Sequence, residues 1–332
     1  MSPKVLLTGS SGFIAGHILQ VLISRNYTII ATVRSQAKAD YLAKIYPNAA
    51  LSFVIVPDIV VADAFDEAVK GVDYVIHTAS PFHFQVTDPV VDLLDPAVKG
   101  TKGILNAIQK YAPQVKKVII TSSFAAIVNA EKGSWPEHTY TEIDWNPVTW
   151  EQAINDGPST TYRASKTFAE KAAWDFLEDN KPKFSITTIN PPLVFGPMLH
   201  DVKPGTINTS NANIWNLING SAKEILPTAI PVWVDVRNVA EAHVNAIDNP
   251  KTDNQRYFIV AGQFTFQNIA NIVRKQFPEI KDKVPKGDPE NSEPNNFFNV
   301  DNKKSIKDLG IEYISLEKSI VDLTKQLVDW VN

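Results

Sequence analysis

The sequence predicts an α/β fold, a doubly wound parallel sheet with a smaller C-terminal unit closing over it. Three observations predict it. Short runs rich in β-branched residues alternate with helix-length segments through the first half of the chain. A glycine turn follows the first of those runs directly, and the alternating rhythm breaks after residue 190. Val5-Leu6-Leu7 forms the first strand, and a helix covers residues 14–24 beyond the turn. Strands follow at 27–33 and 51–56, separated by a helix over 37–46. A fourth strand covers 73–77 and a fifth 117–122, with a helix over 93–111 between them. A helix over 161–180 leads to a sixth strand at 184–190. Each short run lies beside a helix, as crossover units covering both faces of a parallel sheet require.

Residues 191–231 read as irregular, rich in proline and asparagine and broken by Gly196-Pro197 and Pro204-Gly205. A helix at 239–248, a strand at 256–260 and a helix at 266–276 follow. Residues 278–296 hold four prolines and read as a surface excursion, and 316–330 as an amphipathic helix. Residues 1–190 then make a nucleotide-binding domain to which 233–260 returns. Residues 191–232 and 261–332 make mainly a substrate-binding cap.

Composition narrows the chemistry. The 332 residues fit about two units at roughly 150 residues each. There is no cysteine, which excludes disulfides, thiolate nucleophiles and cysteine-held metals. Thirty-two basic and 36 acidic residues give a net charge of −4 without long blocks, which argues against nucleic-acid or membrane partners. No run reaches the ~18 apolar residues of a membrane span, and no secretion signal opens the chain, so the cytoplasm is expected. The six histidines show no zinc-ligand spacing and no metal is called for.

Gly9-Ser10-Ser11-Gly12-Phe13-Ile14-Ala15-Gly16 joins the first strand to its helix. Gly9 supplies a tight turn and Gly12 a close approach for a pyrophosphate, while Ala15 or Gly16 lets the helix pack closely. The main chain of Ser11, Gly12, Phe13 and Ile14 lies where helix-start N–H groups meet phosphate oxygens. Arg34 ends the second strand, where enzymes using NAD commonly carry an acid for the ribose hydroxyls. A guanidinium there, with Lys38 one turn onward, suits the 2′-phosphate of NADP. Asp58 after the third strand is either an adenine-side contact or a turn aspartate. Thr78, Ala79 and Ser80, at the end of the fourth strand, are small enough to line a cofactor.

Tyr162 and Lys166 stand four residues apart at a helix start and share a face. A neighbouring ammonium favours phenolate, drawing the phenol toward a range where it exchanges a proton. Ser122-Ser123 ends an apolar strand at the sheet's carboxyl edge, where Ser123 can orient a carbonyl oxygen. Asp235 and Arg237 fit a buried ion pair or helix-start network.

At these residues the chain resembles the extended short-chain dehydrogenase/reductase family: Gly9-x-x-Gly12-x-x-Ala15, Thr121-Ser122-Ser123, Tyr162-x-x-x-Lys166 and the run from Val234 to Ala240. Within it, the chain is most similar to the fungal NADPH-dependent methylglyoxal and 3-methylbutanal reductases, relatives of the dihydroflavonol and cinnamoyl-CoA reductases. The resemblance spans essentially the whole chain. It implies a Rossmann-type fold, NADPH as cofactor and a Ser123–Tyr162–Lys166 site. It also implies that Lys166 binds ribose and lowers the Tyr162 pKa, and that Pro191 lies at the nicotinamide end. Phe82, Phe124 and Leu193 match the substrate pocket, with Ser159 at its rim. Phe124 and Leu193 stand where tyrosines are more usual, which implies a more apolar pocket suited to bulky aliphatic or aryl carbonyls. Trp215, Ile225, Leu226, Ile230 and Val232 are candidates for the cap side of the cleft. The small-molecule carbonyl is the partner expected. A hydroxysteroid dehydrogenase, a sugar-nucleotide epimerase and a non-catalytic NADP-binding protein are the alternatives on this scaffold, and Arg34 argues against the NAD-retaining epimerases.

Overall fold

The computed structural model describes residues 2–80, 87–200 and 203–331. The elements run β1 (Lys4–Thr8), α1 (Phe13–Ser24), β2 (Thr28–Val33), α2 (Gln36–Ile45), β3 (Leu51–Ile55), β4 (Tyr74–His77), α3 (Asp95–Tyr111) and β5 (Lys117–Thr121). Next come β6 (Thr139–Tyr140), α4 (Trp150–Asn155), α5 (Pro158–Asn180), β7 (Ser185–Asn190), β8 (Leu193–Phe195), α6 (Thr209–Ile218), β9 (Val232–Asp235) and α7 (Val236–Asn245). The chain ends with β10 (Gln255–Phe258), β11 (Gly262–Gln263), α8 (Phe266–Gln276), β12 (Asn299–Val300), α9 (Lys303–Leu309) and α10 (Leu316–Leu327).

Seven strands form the main sheet in the order β3-β2-β1-β4-β5-β7-β10, and every pairing is parallel. The direction of winding reverses between β1 and β4, and the crevice at that reversal is where ligands of such sheets bind. The pleat divides each strand between two cores. Val5 and Leu7 of β1 face one side, with Ile29 and Ile76, against Ile18, Leu19 and Leu22 of α1 and Val239 of α7. Leu6 faces the other, with Val75, Val118 and Ile186, against Ile104 and Ile108 of α3 and Phe176 of α5. Burial on both faces explains why these strands read as continuous apolar runs.

A second, three-stranded sheet places β9 between β8 and β11. Phe195 and Trp233 from that sheet pack with Ile214 and Leu217 of α6, Ile269 of α8 and Leu323 of α10. Phe124, Tyr140, Phe258 and Phe298 form an aromatic cluster between the sheets. Strand β9 belongs to the small sheet, whereas α7 packs on α1 and β10 joins the main sheet. Thus the stretch 233–260 is shared between the two parts rather than returning whole.

The structure corrects two sequence expectations. Residues 191–231 are not wholly irregular: they carry β8 and the ten-residue α6. That helix opens on Thr, Ser and Asn and has only Ala212 and Leu217 as strong helix formers, so its buried face (Asn211, Ile214, Leu217, Ile218) holds it by packing. Residues 278–296 run along the surface as expected, pinned to the core at two points. A 3-10 turn over Pro278–Lys283 buries Ile280, and Val284 follows it into the core. Helix α7 begins three residues earlier than read, because the Asp235 side chain caps it by accepting from the Arg237 N–H. No helix of the described residues is long and apolar enough to cross a membrane.

Candidate active site

The carboxyl ends of β1, β4, β5 and β7 deliver the predicted residues to one edge. Gly9 leaves β1 with φ +67, a left-handed conformation that strains any residue carrying a Cβ. A Cβ built there would lie 3.2 Å from Ala79 Cα, so the turn also needs glycine for space. Gly12 closes the turn by donating to the Gly9 carbonyl (2.9 Å) and caps α1, where no acidic residue occupies the first turn. Its first-turn N–H groups, including those of Phe13 and Ile14, lack intrahelical acceptors, and the axial dipole favours an anion there. Ser11 lies half-buried in the turn. These features suit a pyrophosphate.

The structure reassigns several neighbours. Ser10 is buried and its hydroxyl donates to the Leu7 carbonyl, locking the turn. Gly16 does not serve helix–sheet packing: a Cβ there would meet the His200 ring at 2.6 Å, so its role is to admit that ring. His200 bonds Tyr46 Oη through Nε2 (2.9 Å), and burial drives its pKa down to about 4, with lesser contributions from His17 and Lys38. Nothing in the sequence pairs positions 16, 46 and 200. Arg34 is exposed just beyond β2, with Lys38 half-buried on the first turn of α2. Asp58 is exposed and its carboxylate accepts from the Val60 N–H (2.9 Å), a turn contact.

Thr8 organises the next loop. Its hydroxyl accepts from the N–H groups of Thr78 and Ala79, each at 3.1 Å, so its own proton is directed to His77 Nδ1 at 2.9 Å. His77 is therefore neutral with the proton on Nε2. Burial, aided by the charge of Lys166, holds its pKa near 4. The loop leads to Ser80, whose hydroxyl receives Lys166 Nζ at 2.8 Å.

Helix α5 carries the reacting pair. Gly157 enters it with φ +87 and Pro158 occupies its first turn, placing Tyr162 and Lys166 on consecutive turns. Lys166 Nζ lies 5.9 Å from the Tyr162 ring centroid. Desolvation brings the Lys166 pKa to about 8. Tyr162 departs from expectation. Burial raises its pKa above the ordinary phenol value, and the opposing influence is the Ser123 hydrogen bond, not the lysine. The reason is physical: the low-dielectric surroundings penalise phenolate more than the ring-distant ammonium favours it.

Ser123 itself lies half-buried two residues beyond β5, where it caps a 3-10 turn over Phe124–Ala126 by receiving the Ala125 N–H at 3.1 Å. The buried Pro191 follows β7, and its carbonyl accepts from the Phe124 N–H (2.9 Å). Ser123, Tyr162, Lys166, Ser80 and Pro191 thus converge.

The pocket residues are less uniform. The Phe124 ring is only 2% exposed, stacked on Phe258 at 4.9 Å between centroids, so it belongs to the aromatic core behind Ser123. Leu193 is half-buried on β8, and Ser159 is exposed one turn before Tyr162. Phe82 lies outside the described residues. Val232 is fully buried against the aromatic cluster, while Trp215, Ile225 and Leu226 pack partly exposed on the α6–α8–α10 core. Asp235 is fully buried and paired with Arg237 at 2.7 Å, and Arg237 also reaches Asp322 of α10 at 2.7 Å. This network joins α7 to the C-terminal helix.

A parallel sheet with a glycine cradle at its switch point and a Ser–Tyr–Lys set beside it defines a dinucleotide-dependent short-chain oxidoreductase scaffold. The chain belongs to the NAD dependent epimerase/dehydratase family, whose model matches residues 5–262. It is 44% identical to ketoreductase azaE of Aspergillus niger over 99% of this chain and 98% of that protein. It is 41% identical to the NADPH-dependent methylglyoxal reductase GRE2 of Saccharomyces cerevisiae over 98% of both. The crystal structure of yeast methylglyoxal/isovaleraldehyde reductase Gre2 complexed with NADPH superposes with a TM-score of 0.91 at 39% identity, covering 98% of each chain.

Proposed function

We propose that this chain is an NADPH-dependent carbonyl reductase acting on aldehydes, ketones or 2-oxoaldehydes. The observation that carries the reading is the convergence of Ser123, Tyr162 and Lys166 at the edge where the Gly9 turn and Pro191 also end. Relatives bearing NADPH-dependent reductase names over nearly the full chain support it. Gly9, Ser11, Gly12, Phe13 and Ile14 would hold the pyrophosphate and Arg34 with Lys38 the 2′-phosphate. Thr78, Ala79, Ser80 and Pro191 would flank the rest of the cofactor. When bound, NADPH supplies the hydride.

The chain's own residues manage the oxygen. Ser123 donates a hydrogen bond to the carbonyl oxygen and polarises it. Tyr162, kept protonated by burial, passes its phenolic proton to the oxygen as negative charge develops there. Lys166 would leave Ser80 to bind ribose, and its charge stabilises the phenolate left on Tyr162 until solvent returns a proton. The half-buried Leu193, standing where a tyrosine is more usual, makes the pocket more apolar and favours bulky aliphatic or aryl carbonyls. The cytoplasm is the compartment this chemistry fits.

The test is NADPH consumption across methylglyoxal, 3-methylbutanal and aryl ketones. The expected result is turnover with kcat/KM highest for the bulky apolar substrates. Cofactor binding without turnover on any of them would overturn the reading.

A pH limb follows from Lys166. Its charged form is present below about pH 8 and lost above it. The kcat/KM for NADPH is therefore expected to fall as pH rises through about 8, and Lys166→Arg should move that limb to higher pH. An unmoved limb would assign it to another group.

A further inference from the structure

Directly behind these residues lies one buried carboxylate that the proposed reaction does not use. Glu170 is 1% exposed and follows Lys166 by four positions and Tyr162 by eight, so all three lie along one face of α5. It accepts from Ser122 Oγ at 2.5 Å, Asn190 Nδ2 at 2.6 Å, Thr188 Oγ1 at 3.0 Å, Trp174 Nε1 at 3.2 Å and Arg256 Nε at 2.6 Å. Two of those donors immediately precede site residues. Ser122 precedes Ser123, and Asn190 precedes Pro191.

The same strand ends are stitched to each other. Asn190 Nδ2 also donates to the Ser123 carbonyl at 3.2 Å, and the Ser122 N–H to the Ile189 carbonyl at 2.8 Å. Arg256 neutralises the carboxylate, lies 3.7 Å from the Trp145 ring centroid, and donates through Nη1 to the Glu142 and Asp144 carbonyls. A charged carboxylate with five donors is directional in a way that an apolar side chain of equal volume is not. It defines the distance between the helix bearing Tyr162 and Lys166 and the strand ends bearing Ser123 and Pro191.

We propose that Glu170 is a positioning residue: through Ser122 and Asn190 it sets Ser123 and Pro191 in register with Tyr162 and Lys166. The inference rests on the reductase reading of the site. The arms of the hub differ in what they serve. Ser122 and Asn190 lead to the reacting groups, whereas the Trp174 arm returns to α5 itself.

The experiment compares full-length Ser122→Ala, Glu170→Gln and Trp174→Phe with the wild-type chain, using NADPH and its preferred carbonyl. Every partner of Glu170 donates to it, so the amide nitrogen introduced by Glu170→Gln faces a donor and breaks at least one arm. Ser122→Ala removes one arm while leaving the Arg256 ion pair intact, which keeps the test open if Glu170→Gln fails to fold. Expected are falls in kcat of about tenfold or more for Ser122→Ala and for folded Glu170→Gln, with KM for NADPH within about twofold. Trp174→Phe should lower Tm yet retain kcat within about twofold. Full kcat in Ser122→Ala, or an equal loss of kcat in Trp174→Phe, would overturn the positioning role while the reductase reading stands. A wild-type chain that binds NADPH and reduces no carbonyl would overturn both.

Discussion

Tyr162→Phe is expected to lower kcat by about 10²–10⁴-fold, the range over which a positioned general acid acts, while the Kd for NADPH stays within about twofold. The phenol is the proton donor in this account, and the substitution removes only the oxygen. Its burial and the Ser123 hydrogen bond matter to the sign of the effect. Because the Tyr162 pKa lies above the ordinary phenol value, the group remains protonated at neutral pH and ready for the reductive direction. Ring volume is conserved, so the surroundings on α5 should hold and thermal stability should change little. Single-turnover NADPH oxidation measures the step directly. An unchanged rate would mean that another donor, or solvent, protonates the oxygen.

Arg34→Glu carries the second large effect, on cofactor choice. Arg34 is exposed beside the start of α2, where the 2′-phosphate is proposed to sit. Charge-assisted hydrogen bonds of this kind contribute about 1.5–3 kcal/mol, or roughly 10- to 150-fold, and reversing the sign adds repulsion. NADPH affinity should therefore fall by about two orders of magnitude, with NADH far less affected or improved, since a carboxylate there can accept from ribose hydroxyls. Lys38 stays in place and should leave a residual preference for phosphate. Fluorescence titration with both cofactors decides the matter. Equal losses would remove Arg34 from the phosphate site.

The main sheet was legible because fully buried parallel strands write themselves as apolar runs. Val5-Leu6-Leu7 and residues 117–121 need no tertiary information to be recognised. The Gly9 turn and the Tyr162–Lys166 spacing were legible for a similar reason, since both are local. What the sequence hid was set by distant partners or by weak propensity. Strand β8 is three residues long, and α6 is held by its buried face rather than by helix-forming residues. The ring of His200 fills the space left at Gly16 from 184 positions away. Glu170 and Arg256 stand 86 positions apart, so neither residue alone announces a buried pair. The Tyr162 pKa runs against its sequence expectation for a related reason: spacing discloses that Lys166 is near, but not that burial outweighs it.

The most direct measurement follows the transferred hydrogen. NADPH deuterated at C4 of the nicotinamide, in each of its two epimers, should be incubated with a ketone and the alcohol examined by mass spectrometry and NMR. The account predicts that one epimer places deuterium on the former carbonyl carbon, and that Tyr162→Phe slows its appearance in proportion to the loss of turnover. Alcohol formed with only protium at that carbon from both epimers, or NADPH bound and never oxidised, would contradict it.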